Sequence, residues 1–221
     1  MNSSTNEQLT ELLGDPLLAD PLTQASDWLA EAWRLRPQPN PNAMALATSS
    51  QDGRPSVRIV LCKDIVAQPG YVMFYTNYQS RKSEDLAANP RAAIVLHWDA
   101  LGRQVRIEGP VRRAPEADSD AYFASRSRDS RIGAWASNQS RPLASRATLL
   151  AQVARQALRF AVGEVPRPAH WGGYRLWAEA VELWVDGPHR IHDRARWTRE
   201  LRDDGAGGFV PSTWSATRLQ P

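Results

Sequence analysis

Arg91-Ala-Ala-Ile-Val-Leu-His-Trp98, the turn Asp99-Ala-Leu-Gly102, and Arg103-Gln-Val-Arg-Ile-Glu-Gly-Pro-Val-Arg-Arg113 decide the fold class. Both long runs are rich in apolar residues, and Leu101-Gly102 is a tight reversal between them. Strands joined so briefly are antiparallel, because a parallel pair needs a crossover of a dozen or more residues. The pattern continues upstream. Ala43–Ser49 and Ser56–Lys63 flank Gln51-Asp-Gly-Arg54, a hairpin signal, and Tyr71–Thr76 is a further strand. Downstream, Tyr174–Val185 reads as one strand, with Leu176, Ala178 and Ala180 alternating against Trp177, Glu179 and Val181. Ala195–Leu201 and Phe209–Arg218 read as a last hairpin around the flexible loop 202–208.

Helical periodicity enters between the strands. Asp20-Pro21 starts a helix carrying Leu22, Ala25, Trp28, Leu29, Ala32 and Trp33 on one face, and the proline-rich stretch 37–41 ends it. Ser80–Ala88 is a short helix stopped by Asn89-Pro90. Pro115–Arg126 and Leu143–Ala161 read as helices, with the polar stretch Ser127–Arg141 between them. The whole predicts a mainly β protein with α elements (α+β): a closed or partly closed antiparallel barrel with flanking helices. At 221 residues and 42% hydrophobic composition, a single domain over 21–221 is expected, preceded by a weakly patterned, mobile segment 1–20. Core and interface packing accounts for most of the nine Trp.

Composition excludes several classes. Net charge is +3 and the basic residues are interleaved with acids, so no nucleic-acid surface is expected. Cys62 is alone, which rules out an internal disulfide or a Cys-based metal site, and Val60-Leu-Cys62 reads as a buried strand with a structural thiol. His189 and His192 are three apart, on opposite faces of a strand, and no carboxylate pattern completes a metal site. No apolar run approaches membrane-spanning length, and Met1–Thr10 lacks a basic start and an apolar run, so a soluble cytoplasmic protein is expected.

Lysine usage directs attention to one region. Of 27 basic residues only Lys63 and Lys82 are lysines, and they flank Tyr71–Thr76. A compact ammonium is not interchangeable with a planar guanidinium beside a phosphate. Arg58 and Lys63 bracket an apolar run and lie on opposite faces unless the strand bends. In Tyr75-Thr-Asn-Tyr-Gln-Ser-Arg-Lys82 a strand gives way to hydroxyl and amide donors and then to a helix start. That order makes a phosphate cradle from backbone N–H groups, Arg81 and Lys82. Tyr122 and Arg126 share a helix face, and with Ser130 they offer a charged fork and two hydroxyls to an anion. Arg190, His192 and Arg194 alternate, so an extended strand would project all three from one face.

Six stretches in this order resemble the pyridoxine/pyridoxamine 5'-phosphate oxidases: Arg58-Ile-Val-Leu-Cys-Lys63, Phe74-Tyr-Thr-Asn77 with Ser80-Arg-Lys82, Arg128-Asp-Ser-Arg-Ile-Gly-Ala-Trp135 with Gln139-Ser140, Gly163-Glu-Val-Pro166, Trp171-Gly-Gly173, and His189-Arg-Ile-His-Asp-Arg194. The resemblance implies an FMN-binding split β-barrel, homodimeric, with FMN in clefts between subunits. By position it assigns FMN to the segment Arg58, Ile59, Val60, Leu61, Cys62 and Lys63, and to Tyr75, Thr76, Arg81, Lys82, Gln104, Gln139, Ser140, Trp184 and Arg194. Gln139 and Ser140 are implied to reach the flavin held mainly by the other subunit. Lys63, Tyr122, Arg126 and Ser130 are implied to grip the phosphate of a B6 vitamer, and Arg190 and His192 to orient its ring as the catalytic pair. The implied activity is oxidation at C4' to pyridoxal 5'-phosphate, with dioxygen as acceptor and hydrogen peroxide as by-product. Alternatives are a related oxidase of another aromatic substrate, as in phenazine biosynthesis, and a non-catalytic protein that binds flavin or pyridoxal phosphate. One departure concerns the N-terminal substrate lid, where family members often carry an Arg and a Tyr three apart. Residues 1–33 contain neither, so the lid is missing or built from other residues.

Overall fold

The computed structural model describes residues 13–221. Among the described residues there are twelve strands: β1 Ala43–Ser49, β2 Pro55–Leu61, β3 Asp64–Val66, β4 Tyr71–Asn77, β5 Arg91–Trp98, β6 Arg103–Arg113, β7 Trp171–Trp177, β8 Ala180–Val185, β9 Asp193–Thr198, β10 Leu201–Asp203, β11 Phe209–Pro211 and β12 Ser215–Leu219. Five helices accompany them: α1 Pro21–Leu35, α2 Arg81–Ala88, α3 Glu116–Ser125, α4 Arg128–Ala136 and α5 Arg146–Arg159.

Strand β6 organises the sheet. Its Arg103–Glu108 half pairs with β8, and its Val111–Arg113 end pairs with β7. The bend falls at Gly109-Pro110, where a Cβ on Gly109 would collide with the Trp177 carbonyl oxygen, so only glycine lets the two backbones approach. One arm of the sheet runs β12-β9-β8-β6-β5-β1-β2, and the other leads from β6 through β7 and β4 to β3. All pairings are antiparallel, as the short connections require. The curled sheet closes on a core whose largest fully buried side chains are Trp98, Trp197, Phe74 and Phe123. The two indoles are not left with unmet donors: Trp98 Nε1 donates to the Pro41 carbonyl (2.7 Å) and Trp197 Nε1 to that of Leu18 (2.8 Å). Helix α1 packs Leu22, Ala25, Trp28, Leu29 and Ala32 into this core, its N-terminus capped by Asp20 accepting from the Leu22 N–H.

Several sequence expectations need correction. Tyr174–Val185 is two strands, not one. The chain turns a corner at Ala178-Glu179, whose N–H groups donate to Gly70 and Glu108 rather than continuing a ladder. Two-residue alternation cannot report that corner, because Trp177 and Ala178 are both buried. The last hairpin is real in β9 and β12, but β10 and β11 split off as a separate two-stranded ribbon bearing the 202–208 loop. The polar stretch 127–141 contains α4, capped where the Ser127 hydroxyl accepts from the Ser130 N–H. Arg190 and His192 are not on a strand. Pro188–Arg190 forms a 3-10 turn with φ of 55° at His189 and 65° at Arg190, and only Arg194 lies in β9. Of the expected mobile segment, residues 1–12 lie outside the described residues. Residues 13–20 are tied to the barrel through the Leu13 N–H to Asp193 (2.8 Å) and through Leu18.

Candidate active site

A cleft of about 780 Å³ opens between β2, β4, the start of α2, the end of α3, α4 and the loop that follows it. Its lining gathers residues from three of the four clusters singled out in the sequence, Arg58 to Leu61, Lys63, Tyr75, Thr76, Arg81, Lys82, Tyr122, Arg126 and Ser130, together with Gln139 and Ser140 from the family resemblance. Arg58 and Lys63 meet in one cleft because β2 ends at Leu61 and the chain bends before β3. Ser56, Val57, Asn77, Gly133, Ala134, Ser137 and Trp171 complete the lining and were not predicted. Trp171 carried a signal, since Trp171-Gly-Gly173 is one of the distinctive stretches. The others are small or common residues that reveal nothing before folding.

One end of the cleft is an anion cradle. Lys82 is buried, and its Nζ donates to Thr76 Oγ1, Ser80 Oγ and Gln139 Oε1, each at 3.0 Å. All three acceptors are neutral. Burial, with help from nearby Arg58, pulls the ammonium down to about 8. Arg58 is held from β1 and β2, donating to Leu46 O (3.1 Å), Thr48 Oγ1 (2.7 Å) and Ser56 Oγ (2.8 Å). The buried Asp85 carboxylate stands 3.7 Å from Arg58 and accepts from Thr48 Oγ1 (2.6 Å). Burial lowers the Arg58 guanidinium, and Asp85 offsets part of that. The α2 N-terminus with Arg81 flanks this group, adding the positive end of a helix dipole.

The other end is aromatic. Tyr75, Tyr122 and Trp171 lie almost parallel, with ring centroids 4.0 Å apart for Tyr75–Tyr122 and 5.5 Å apart for Tyr75–Trp171. Tyr75 reaches that position because its β7 partner is Gly173, where a Cβ would come within 2.8 Å of the Tyr75 ring. Lys63 Nζ lies 5.3 Å from the Tyr122 centroid, and the Arg126 guanidinium 4.8 Å from that of Trp171. Arg126 caps α3 in extended conformation rather than continuing the helix. Its Nη1 is buried without a partner among the described residues. Burial pushes the Tyr75 phenol up to about 12, and nearby Asp118 adds to that. Ser130 is fixed by a 2.8 Å bond from the Ser127 hydroxyl.

Five predicted residues stand elsewhere, and a sixth turns away. Gln104, Trp184 and Arg194 form one row across β6, β8 and β9, as direct cross-strand partners. Arg194 is anchored by Glu182 Oε1 (2.8 Å from Nη2) and donates to the Gln220 carbonyl (3.0 Å). His192 packs against Trp184 at 4.6 Å with the rings tilted by 42°, its Nδ1 lies 3.0 Å from Asp186, and Arg190 is exposed. None of these lines the cleft of its own chain. Cys62 does not line it either. Its thiol is in the core, pushed up to about 12 by burial, and its N–H and C=O are both bonded to Asn42. Gln139 and Ser140 were expected to serve a partner's cleft. They line their own chain's cleft, where Gln139 is bonded to Lys82.

A curled antiparallel sheet with a cationic, aromatic cleft beside β2 and β4 is a split barrel. The chain belongs to the pyridoxamine 5'-phosphate oxidase family. Residues 31–159 match the family model described as pyridoxamine 5'-phosphate oxidase, and residues 171–221 match the pyridoxine 5'-phosphate oxidase C-terminal dimerisation region. A pyridoxine/pyridoxamine 5'-phosphate oxidase of Rhodospirillum rubrum is 52% identical over 205 residues, covering 91% of this chain and 96% of that protein. One from Gluconobacter oxydans is 50% identical, covering 93% and 96%. Among solved structures, PhzG from Burkholderia lata in complex with tetrahydrophenazine-1-carboxylic acid superposes with a TM-score of 0.81 at 33% identity, covering 94% of this chain and 95% of that one. An FMN-binding, pyridoxamine 5'-phosphate oxidase-related protein from Nostoc punctiforme shares the fold, with a TM-score of 0.66 at 17% identity and coverage of 94% and 100%.

Proposed function

We propose that this protein binds FMN and oxidises pyridoxamine 5'-phosphate and pyridoxine 5'-phosphate at C4' to pyridoxal 5'-phosphate. The observation that carries the reading is the pair of separate cationic ends in one cleft. At one end a buried ammonium, Lys82, meets only neutral oxygens beside Arg58 and Arg81. At the other a guanidinium, Arg126, keeps a buried N–H without a partner among the described residues. A phosphate at each end satisfies both, because buried charge is stable only when paired.

Lys82, Arg58, Arg81, Thr76, Gln139 and Ser140 would hold FMN, whose phosphate fits the cradle at the α2 N-terminus. Bound FMN would supply the two-electron acceptor for the hydride leaving C4' and return those electrons to dioxygen as hydrogen peroxide. Lys63, Tyr122, Arg126 and Ser130 grip the vitamer phosphate and so fix the distance from that anchor to C4'. The dimerisation region supports a homodimer. In it, the row Gln104, Trp184 and Arg194, together with Arg190 and His192, is supplied to the partner's cleft. His192, packed against Trp184 with its Nδ1 accepting from the Gly187 N–H beside Asp186, then orients the vitamer ring with Arg190.

The PhzG likeness favours a second reading, oxidation of an aromatic substrate that carries no phosphate. A peroxide-coupled assay with added FMN separates the two. Turnover of both phosphorylated vitamers with none of free pyridoxine is expected. Turnover indifferent to the phosphate supports the second reading, and FMN binding with no peroxide from any vitamer removes the first.

A further inference from the structure

Trp171 has no role in the scheme above, yet it occupies a distinctive position in the cleft. It is 7% exposed, begins β7, and pairs with Asn77 of β4. Its ring lies nearly parallel to Tyr75 (8° between planes) and to Tyr122 (9°), and Phe123 meets it edge-on at 5.0 Å. The Arg126 guanidinium sits over its face at 4.8 Å and nearer to it than to Phe123, at 5.5 Å. No carboxylate is hydrogen-bonded or ion-paired to Arg126 among the described residues, so what orients this cation is aromatic. Tryptophan offers a cation the strongest face of the aromatic side chains, and the contact strengthens when water is excluded.

That arrangement holds the guanidinium by aromatic faces alone and leaves its buried Nη1 without a partner among the described residues. An acidic partner would orient Arg126 too, but it would also neutralise the charge that an incoming anion needs. An indole orients without neutralising. The backbone of the Trp171-Gly-Gly173 stretch serves the same end. Gly173 leaves room for the Tyr75 ring, and a side chain at Gly172 would collide with Tyr78. The Tyr75, Trp171 and Tyr122 rings can therefore lie nearly parallel.

We infer that Trp171 is a positioning residue for substrate recognition, setting the Arg126 guanidinium against the vitamer phosphate through its ring face and holding Tyr122 in the same stack. This rests on the proposed grip of Arg126 on that phosphate. The test is steady-state kinetics of the FMN-reconstituted enzyme with pyridoxamine 5'-phosphate, for Trp171→Leu, Trp171→Phe, Arg126→Ala and the paired combinations. Trp171→Leu is expected to raise KM about tenfold, with kcat and flavin retention changed less than about twofold, and Trp171→Phe to fall between it and wild type. With Arg126 already removed, either Trp171 substitution should add less than about twofold, because coupled residues do not act independently. Effects that multiply, or a fall in kcat with KM unchanged, overturn the role given to Trp171. If Trp171→Leu does not fold, the same cycle run with Trp171→Phe, which keeps an aromatic ring, decides the question. An unchanged KM in Arg126→Ala alone instead removes the phosphate grip itself, a separate failure.

Discussion

Lys82 shows how a single side chain ties electrostatics to ligand affinity. Its ammonium is buried among neutral oxygens and lies low, at about 8, because burial penalises its charge and Arg58 repels it. For a cation whose folded value is depressed, the charged form is the costly one. The apoprotein should therefore gain stability as pH rises through about 8, where the folded chain releases a proton that the unfolded chain keeps. Flavin affinity has the opposite slope. A phosphate dianion, formed above about pH 6, needs the protonated lysine. Affinity for FMN should hold level to about pH 8 and decline beyond it, as read by quenching of flavin fluorescence. In Lys82→Met that decline should vanish along with most of the affinity, and a decline of the same size in this variant would exclude Lys82 as its source. Cys62 gives a second residue-level expectation. Its thiol, 1% exposed and pushed up to about 12, should resist alkylation in the folded protein and react fully only in denaturant. Both lysines were visible in the sequence because they interrupt an arginine-rich composition. Cys62 was grouped with the cleft as part of a contiguous motif, whereas the chain turns its thiol into the core and leaves its neighbours Leu61 and Lys63 in the cleft.

At the scale of elements, strands separated by tight turns were legible and corners were not. The β5–β6 and β1–β2 hairpins follow from apolar runs and turn residues a few positions apart, which is local information. The bend of β6 at Gly109 and the break between β7 and β8 depend on the approach of Trp177 and Glu108, distant in sequence. Helix α4 was hidden by a polar composition, although Ser127 is a serviceable cap. The pairing of Tyr75 with Gly173 allows an element-level test. A Cβ at 173 would lie 2.8 Å from Tyr75 Cε1 and 2.9 Å from the Ala114 Cβ. Gly173→Ala should lose about 1–3 kcal/mol in urea unfolding, the usual cost of overpacking, and should weaken vitamer binding by displacing Tyr75. Unchanged stability with unchanged KM would mean that the stack does not need this glycine.

At the scale of the whole molecule, the proposed site draws on two copies of the chain. The cleft holds Lys82, Arg58 and Arg126, but Gln104, Trp184 and Arg194 stand in a row on β6, β8 and β9, away from it. Sequence motifs named both groups without revealing that they are separate, since residue order carries no information about which copy of the chain a side chain serves. Strand β2 is a candidate for the surface at which the proposed dimer is expected to form. It pairs only with β1 among the described strands, and Val57, Ile59 and Leu61 form an outward apolar row, with Val57 68% exposed. An unpaired apolar edge in water is a liability unless a partner covers it. Val57→Lys should therefore shift the protein toward monomer in light scattering while leaving its circular dichroism spectrum unchanged. The added cation on the cleft rim would, by charge alone, favour a phosphate, so a loss of FMN that tracks monomer formation points to loss of the partner's row. Release of flavin on dilution, in step with monomer formation, is the expected result. A monomeric Val57→Lys protein that keeps its flavin and full peroxide production would show that one chain suffices.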